Sequence, residues 1–459
     1  MKHVKVIDSM PSTGKTCYMI EKINQLDPMV KVIYITPLLT ETNRIQEQCK
    51  KRKFQLPDTK KGKGSKQEHF KELLKRKANI SSTHALFSNI DNETIQLIRA
   101  GNYILVLDEV LGVFNNFDIY NRKPKPSDNK EKKKKLTQKQ EDELKEKDEI
   151  GLNKDMKLLI SNNFATVDSY FKVTWNNESE DKDAFYLYED FKQAVDNGQI
   201  YFVSETYLLW MFPPQVFQDT FKEIYILTYQ FDYQIQSAYF KFFDIPYEKY
   251  GVIKYREDRR YNWKFKFVDY LDYDNYRNYD IKKRKQLKEL ITICDSPRLN
   301  EIGTKEPADK RKYELLSWSN YDKMDKTALK IIQTKSTSYL NKHLDDKTST
   351  MIWTTFKDYK GDIRSSRMPV KDFVSLNARA TNEYRDKTGV IYLVNRFQNP
   401  FYSNLFKTKG ISIDKDGYAL AEMLQFIFRT AIREDTPIKV FVPSERMRLL
   451  LISWLDGQY

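Results

Sequence analysis

A short segment near the start of the chain has the residue types and spacing of a phosphate-binding loop. Ser9–Thr16 (SMPSTGKT) follows the apolar run Val4–Ile7 and precedes a helical pattern that begins near Cys17. Phosphate binding needs a strand, a tight turn that aims backbone N–H groups at phosphate oxygens, and a helix N-terminus behind them. In such a loop Lys15 reaches the β- and γ-phosphates, and the Thr16 hydroxyl is a ligand of Mg²⁺.

The segment therefore predicts ATP with Mg²⁺ as the ligand. The residues expected to contact it are Pro11, Ser12, Thr13, Gly14, Lys15 and Thr16. Ser9 replaces the first glycine of the pattern G-x-x-x-x-G-K-[ST], and a chance G-K-T is the alternative interpretation. The strand–loop–helix context favours the phosphate-binding one.

Two carboxylates follow a second apolar run. Tyr103–Leu107 is continuously apolar and is followed by Asp108 and Glu109. A strand that ends in two carboxylates suits ATP hydrolysis, with Asp108 holding Mg²⁺ and Glu109 orienting or deprotonating the attacking water. The alternative is an ordinary polar strand end, and the phosphate-binding pattern at the chain start favours the catalytic interpretation.

Strands that alternate with helices must position these groups. The apolar run Val30–Thr36 precedes a helical pattern at Thr40–Lys51, and Tyr103–Leu107 is typical of a parallel strand buried on both faces. This alternation predicts a doubly wound α/β domain over residues 1–240. A mixed-charge tract at about 121–155 is expected to be a solvated helix or a disordered insertion in it, and the interleaved acids disfavour the alternative of a nucleic-acid-binding tail.

Residues 241–459 repeat the α/β pattern. Predicted strands lie at Leu329–Thr334, Met351–Thr354, Phe373–Leu376, Val390–Val394 and Lys439–Val442, with a helix at Ala419–Ile432. Before them, Trp263–Phe267 alternates aromatic and basic residues, which indicates an edge strand with one aromatic face. That face either packs against the sheet or stacks on nucleic-acid bases.

Composition narrows the class of protein. The chain has 459 residues and a formal charge of +14, which suggests a polyanionic partner or merely a lysine-rich proteome. Its three cysteines and four histidines lack the spacing of a disulfide framework or a zinc site. No apolar run has the length of a membrane span, and no signal peptide is recognised, so a cytoplasmic protein is expected.

Across most of its length the chain resembles superfamily 2 helicases, which are nucleic-acid motors. The resemblance lies in the order of eight motifs: Ser9–Thr16 (Walker A), Ile35–Leu39 (Ia), Ser82–Leu86, Val106–Val110 (Walker B, of the D-E-V form), Leu227–Tyr229 (III), Trp353–Phe356 (IV), Asn377–Asn382 (V) and Gln425–Arg433 (VI). The resemblance implies two RecA-like, parallel-sheet P-loop NTPase domains in tandem.

The resemblance also implies roles for residues far from the phosphate-binding loop. Gln425, Arg429 and Arg433 are implied to act from the second domain, with the arginines as in-chain arginine fingers on the transferred phosphoryl group. Their spacing of four residues predicts one helical face. Because Phe428 replaces the usual glycine and Arg433 is one position late, the identity of the finger is open, and two solvated arginines are the alternative.

Other motif residues are implied to contact nucleic-acid phosphates or to couple the sites. The implied phosphate contacts are Thr36, Pro37, Thr83, His84, Thr354 and Thr381. Thr228 is the implied coupling residue between ATP and the bound strand. A core or strand-end role is the alternative for His84, and structural satisfaction at a strand end is the alternative for Thr228.

The sequence therefore predicts an ATP-dependent DNA helicase or translocase that acts in phage or mobile-element replication or recombination. Nucleic acid is the expected partner, with replication or recombination proteins beside it. DNA is favoured over RNA because the D-E-V form is similar to phage and plasmid helicases and no adenine-reading Q motif precedes Val4. The alternatives are an RNA helicase, a duplex-remodelling translocase, or a nucleotide-gated DNA-binding or loading factor with weak hydrolysis.

Overall fold

Two parallel sheets organise the chain in a computed structural model. The structure describes residues 4–61, 64–117, 154–176, 189–203, 207–256, 262–304, 315–344, 350–376 and 383–459. Thr381 and most of the predicted charged insertion at 121–155 lie outside these ranges.

The strands, in chain order, are β1 (Val4–Asp8), β2 (Lys31–Thr36), β3 (Phe54–Gln55), β4 (Asn79–Thr83), β5 (Tyr103–Asp108), β6 (Phe114–Asn116), β7 (Ala165–Val167), β8 (Val173–Trp175), β9 (Ile200–Val203), β10 (Tyr207–Met211), β11 (Glu223–Thr228), β12 (Tyr247–Tyr255), β13 (Lys264–Val268), β14 (Ile291–Ile293), β15 (Met351–Thr354), β16 (Gly389–Tyr392) and β17 (Ile438–Phe441).

The longer helices span Lys15–Gln25, Leu39–Gln48, Lys66–Lys75, Asn92–Gly101, Glu189–Asp196, Ile235–Phe242, Tyr273–Leu290, Lys326–His343, Pro400–Lys407, Lys415–Ile427 and Glu445–Leu455. Single turns of helix lie at His84–Phe87, Gln215–Gln218, Pro297–Asn300, Trp318–Tyr321 and Lys360–Ile363. Within the described ranges, none of the helices has the length and apolar content needed to cross a bilayer.

The first sheet has the strand order β13-β12-β1-β11-β5-β2-β4-β3. Adjacent strands of this sheet are parallel, except that β13 at the edge is antiparallel to β12. One strand, β11, separates β1 from β5, so the phosphate-binding segment and the paired carboxylates emerge two strands apart at the same edge of the sheet.

Alternate residues of the central strands enter two separate cores. Leu105 and Leu107 of β5 pack in one core, and Ile104 and Val106 pack in the other. A strand buried on both faces is continuously apolar, as the sequence of β5 is. Smaller antiparallel sheets, β6-β10-β9 and β7-β8, are inserted between β5 and β11.

The second sheet has the order β14-β17-β16-β15 and is parallel throughout. The predicted tandem of parallel α/β units is therefore confirmed. We refer to residues 4–268 as the first half and to residues 291–459 as the second half, with the helix Tyr273–Leu290 joining them.

One predicted domain boundary and two predicted strands differ from the structure. The first sheet continues past residue 240, because β12 pairs with β1 and β13 pairs with β12, and the sheets change between Val268 and Ile291. Leu329–Thr334 lies inside the helix Lys326–His343, where Leu329 and Ile332 are buried at helical spacing. In Phe373–Leu376, Phe373 forms an isolated bridge to Trp353 instead of starting a strand. The predicted edge strand at Trp263–Phe267 is confirmed as β13.

Candidate nucleotide-binding cleft

The segment after β1 forms a tight loop at the N-terminus of the helix Lys15–Gln25. Gly14 has φ +89°, and a Cβ atom there would stand 2.1 Å from Cε1 of Phe265, so this position requires glycine. Ser12 also has a positive φ, of 69°. Left-handed residues within a turn direct backbone N–H groups into an anion-binding concavity. The loop therefore has the backbone shape that phosphate binding requires.

Ser9 has a structural role at the position where the usual pattern has glycine. It is fully buried and lies outside the set of described residues with positive φ. Its N–H donates to the carbonyl oxygen of Thr228 at 3.0 Å, and its hydroxyl accepts from the N–H of Val252 at 2.7 Å. Serine is therefore compatible with this loop, because the backbone at position 9 does not need glycine and the hydroxyl ties β12 to the loop.

Lys15 turns its ammonium back onto the loop. Its Nζ donates to the carbonyl oxygens of Ser9 at 2.6 Å and Met10 at 3.2 Å. Burial lowers its pKa, and the charges of Glu109 and Asp108 oppose that shift. A buried cation held only by neutral carbonyls and nearby carboxylates suits an incoming anion.

Thr16 and Asp108 meet as predicted. The Thr16 hydroxyl donates to Asp108 Oδ2 at 3.1 Å, and the Tyr34 hydroxyl donates to the same oxygen at 3.3 Å. Burial, and then the charge of Glu109, raise the pKa of Asp108 to about 6. A bound divalent cation would favour the ionised carboxylate that this site otherwise disfavours.

Glu109 has a strained backbone. Its φ is +71°, which is rare for a residue other than glycine, and its N–H donates to the carbonyl oxygen of Leu227 at 2.9 Å. The strain directs the chain away from β5 and places Glu109 in the wall of the cleft beside Asp108. A general base next to the metal-binding carboxylate needs this position.

The second half supplies the opposite wall. Gln425, Arg429 and Arg433 line the same cavity, of about 370 Å³, as Lys15, Thr16, Asp108 and Glu109. Arg433 Nε donates to the Ser12 hydroxyl at 3.4 Å, so this arginine contacts the phosphate-binding loop directly. Burial lowers the pKa of Arg429 to about 10, while the charges of Glu422 and Glu109 act to raise it.

The prediction that Gln425, Arg429 and Arg433 lie on one helical face is wrong, although the three side chains do line the same cavity. The helix Lys415–Ile427 ends before Arg429, which lies in a turn, and Arg433 lies in the 3₁₀ turn Ala431–Glu434. The chain thus turns after Ile427 and presents both arginines from loop backbone. Neither arginine is solvated as on an open surface, since Arg429 is buried and Arg433 is in contact with Ser12.

Several residues of the cleft were not predicted from the sequence. Arg385, Arg44, Glu41 and Lys254 line it, and Tyr34 contacts Asp108 from the core strand β2. Arg385 follows the predicted motif V by three residues, which was a usable signal. No sequence signal indicated Tyr34, because a tyrosine in an apolar strand is normally a core residue.

The predicted nucleic-acid contacts divide by exposure. Thr36 and Thr354 are fully buried, and the Thr36 hydroxyl donates to the carbonyl oxygen of Leu38 at 2.7 Å. These two hydroxyls do not face a surface where a nucleic-acid strand could lie, because both side chains are fully buried. Pro37, Thr83 and His84 are partly exposed at the same edge of the sheet.

His84 and Thr228 both have structural contacts. His84 Nε2 lies 3.0 Å from the carbonyl oxygen of Asp108. The Thr228 hydroxyl accepts from Gln234 Nε2 at 3.3 Å, and the Thr228 carbonyl oxygen accepts from Ser9. Thr228 thereby joins β11 to the phosphate-binding loop, as its strand-end alternative supposed. The coupling role stays a prediction.

The residues present fit ATP and Mg²⁺. Thr16 and Asp108 are adjacent oxygen donors, and Mg²⁺ in phosphate sites takes one or two protein ligands, with phosphate oxygens and water completing its shell. Among the described residues there is no cluster of three or more His, Cys, Asp or Glu side chains suited to a metal. In the part of the chain that the structure describes, the buried Gln425 Nε2 has no hydrogen-bond acceptor. This donor is therefore available to a ligand.

Comparison with known proteins adds family and fold matches. Residues 285–455 match the family model described as the YonV C-terminal Rossmann-like domain, and residues 151–210 match the YonV middle domain. The SPbeta prophage-derived uncharacterized protein YonV of Bacillus subtilis (strain 168) is 33% identical over 464 residues, which cover 100% of both chains.

Two solved structures overlay on most of the chain at low similarity. A structure described as XPD_APO has 10% identity and a TM-score of 0.40, and covers 98% of this chain and 95% of its own. Xpd4 of S. tokodaii has 12% identity and a TM-score of 0.37, and covers 99% of this chain and 94% of its own. The strand order of the two sheets is the basis of the fold assignment.

Proposed function

The chain belongs to the YonV family, and we propose that it is an ATP-dependent nucleic-acid motor, a DNA helicase or translocase. One observation carries this proposal. Lys15, Thr16, Asp108 and Glu109 of the first half line one cavity with Gln425, Arg429 and Arg433 of the second half. A cleft between two α/β units with this set of residues suits hydrolysis of a nucleoside triphosphate.

Each residue has a task in this mechanism. Lys15 exchanges its two loop carbonyls for oxygens of the β- and γ-phosphates. Thr16 and Asp108 would hold Mg²⁺, which would supply positive charge beside the phosphates. Glu109 accepts the proton of the attacking water, and Arg433 stabilises the charge that develops on the transferred group. Arg429 and Gln425 complete the wall beside it.

Nucleic acid is the proposed partner, and motion between the halves is the proposed output. The net charge of +14 favours a polyanion through general electrostatics. The partly exposed residues Pro37, Thr83 and His84 offer contacts that do not read sequence. DNA is preferred, and replication or recombination of a phage or mobile element is the proposed setting, in keeping with the prophage origin of the Bacillus relative.

Steady-state hydrolysis with Mg²⁺ tests the proposal. ATP turnover is measured for the full chain alone and with single-stranded DNA, duplex DNA or RNA. We expect DNA to stimulate turnover and Lys15→Ala to reduce it at least about 100-fold, because the loop loses its phosphate-binding cation. Lys51→Ala is the matched control, since Lys51 is exposed and outside the cavity.

Other outcomes are equally informative. Tight ATP binding with negligible turnover in every polymer would contradict a motor and leave a nucleotide-gated DNA-binding factor. Stimulation by RNA in preference to DNA would retain the ATPase and change the partner.

A further inference from the structure

Strands β12 and β13 form a wall beside the phosphate-binding loop. β12 flanks β1 on the side opposite to β11 and β5. Its last pair with β1 joins Tyr250 to Ile7, and it then continues for five residues to Tyr255. At about 3.3 Å per residue this extension rises about 17 Å beyond the pairing with β1.

The wall touches the loop directly. The Phe265 ring lies so close to Gly14 that an added Cβ would stand 2.1 Å from it. Phe267 stacks on Tyr18 of the following helix, with ring centroids 5.1 Å apart and planes 10° apart. These two rings pack against the loop and its following helix, and the position of β13 is therefore tied to that of the loop.

Trp263, immediately before β13, differs from these packed aromatics. Its side chain is 45% exposed, and it lines both the cleft and a neighbouring cavity of about 400 Å³. Lys254 Nζ lies 4.3 Å and Arg256 Cζ lies 4.5 Å from the centre of the Trp263 ring. The two cations lie over the ring, but Lys254 is only half-buried and Arg256 is exposed, so a planar ligand can displace them from the indole.

The direction of a bound triphosphate brings its base toward this indole. Asp108, at the end of β5, and Glu109, directly after it, mark the end of the cleft where the γ-phosphate and the attacking water belong. The nucleoside must extend away from that end, and β12 and β13 lie on the far side of β1. The neighbouring cavity, which shares Ser12 and Trp263 with the cleft, provides the space.

We propose that Trp263 is the stacking platform for the nucleobase of the bound nucleotide, with Lys254 and Arg256 turning from the indole to the phosphates when the base arrives. This inference rests on the proposed nucleotide-binding function and adds a binding residue to that site. Stacking uses the ring face, which all bases share. ATP and GTP are therefore expected to depend on Trp263 to a similar degree.

Calorimetric titration of the full chain tests the platform with two ligands in Mg²⁺ buffer. The ligands are ATP and inorganic tripolyphosphate, which has the phosphates and no base. We expect Trp263→Ala to weaken ATP binding about tenfold and to leave tripolyphosphate binding unchanged. Trp263→Phe should retain ATP affinity to within about twofold, because an aromatic face remains.

Trp318→Ala is the matched control, since Trp318 is 52% exposed and lies outside both cavities. An unchanged ATP affinity in Trp263→Ala would overturn the inference, and so would equal weakening of ATP and tripolyphosphate. Loss of DNA binding alone would assign the indole to the nucleic-acid strand instead. A wild-type chain that binds neither ligand would overturn the proposed function itself. If the wild-type chain binds both ligands, a negative result in Trp263→Ala contradicts only the role of Trp263.

Discussion

The two halves meet at two places that differ in their chemistry. In the cleft, the cationic and anionic groups of Lys15, Asp108 and Glu109 face two arginines across a cavity of about 370 Å³. The direct contact from Arg433 Nε to the Ser12 hydroxyl is long, at 3.4 Å. Groups held apart in this way can be drawn together by a ligand that binds both walls.

The second meeting place is closed. The Tyr229 hydroxyl, directly after β11, donates to Asp280 Oδ2 at 3.0 Å and accepts from Trp454 Nε1 at 3.1 Å. Arg284 Nε donates to the same Asp280 oxygen at 2.8 Å. All four side chains are buried. We refer to Tyr229, Asp280, Arg284 and Trp454 as the buried network.

The cleft and the buried network differ in how easily their two sides can separate. A buried network of charged and polar groups is costly to break, because each separated partner would lack a hydrogen bond in a medium of low polarity. In the cleft, by contrast, the described contact from Arg433 to Ser12 is long and involves no buried ion pair. We infer that ATP closes the cleft while the buried network keeps its contacts and acts as the pivot.

The largest expected effect is on the cleft side. Arg433→Ala should lower kcat about 10³-fold, because the charge on the transferred phosphoryl group loses its counter-charge, and should weaken ATP binding far less. Steady-state kinetics with saturating DNA measures both. Arg76→Ala is the control, since its side chain is 71% exposed on the first half. If Arg429→Ala removes turnover and Arg433→Ala retains it, Arg429 is the finger.

A smaller effect is expected at the buried network. Tyr229→Phe removes one hydroxyl and leaves Asp280 and the Trp454 indole each with one partner fewer. We expect the free energy of unfolding to fall by about 2–3 kcal/mol, measured by urea titration. Tyr279→Phe, on the same helix as Asp280 and 42% exposed, should change it little. Unchanged stability combined with lost DNA stimulation would mean that the network moves during the cycle.

The smallest expected effect is on the free energy of unfolding and comes from Asp108, a residue of the cleft. Burial, and then the charge of Glu109, raise the pKa of Asp108 to about 6. The unfolded chain loses this proton near pH 4 and the folded chain retains it until about pH 6, so the residue's contribution to stability is lost as pH rises across that window.

Asp108→Asn removes that ionisation. We expect the variant without nucleotide to be more stable by about 1–2 kcal/mol at pH 8, with a smaller gain at pH 5. Thermal unfolding at the two pH values measures this difference. Added Mg²⁺ and ATP should stabilise the wild type and not the variant. A variant that is less stable at pH 8 would contradict the assigned burial penalty.

The sequence predicted the local part of the first half well. The loop Ser9–Thr16, the strand that carries Asp108 and the alternation of strands with helices all follow from local spacing and apolar runs, because each depends on neighbours along the chain. The edge strand at Trp263–Phe267 was predicted for the same reason. Strand assignment failed at Leu329–Thr334, where branched residues favour a strand locally and burial at helical spacing decides for a helix.

The sequence did not show where the first sheet ends and the second sheet begins. The alternation of strands and helices suggested a boundary at residue 240, yet β12 and β13 add to the first sheet, because pairing with an available edge depends on tertiary position. The same limit concealed Tyr34, because its partner Asp108 is distant in sequence.

By itself, the sequence determined which groups can act on a phosphate: a lysine and a threonine after a glycine turn, two carboxylates after an apolar strand, and two arginines near the C-terminus. The tertiary structure decided that they share one cleft, that Thr36 and Thr354 are buried away from it, and that Trp263 is exposed beside it. The physical reason is that residue type and local spacing set chemistry and secondary structure, whereas packing of the two sheets sets distance, burial and therefore charge.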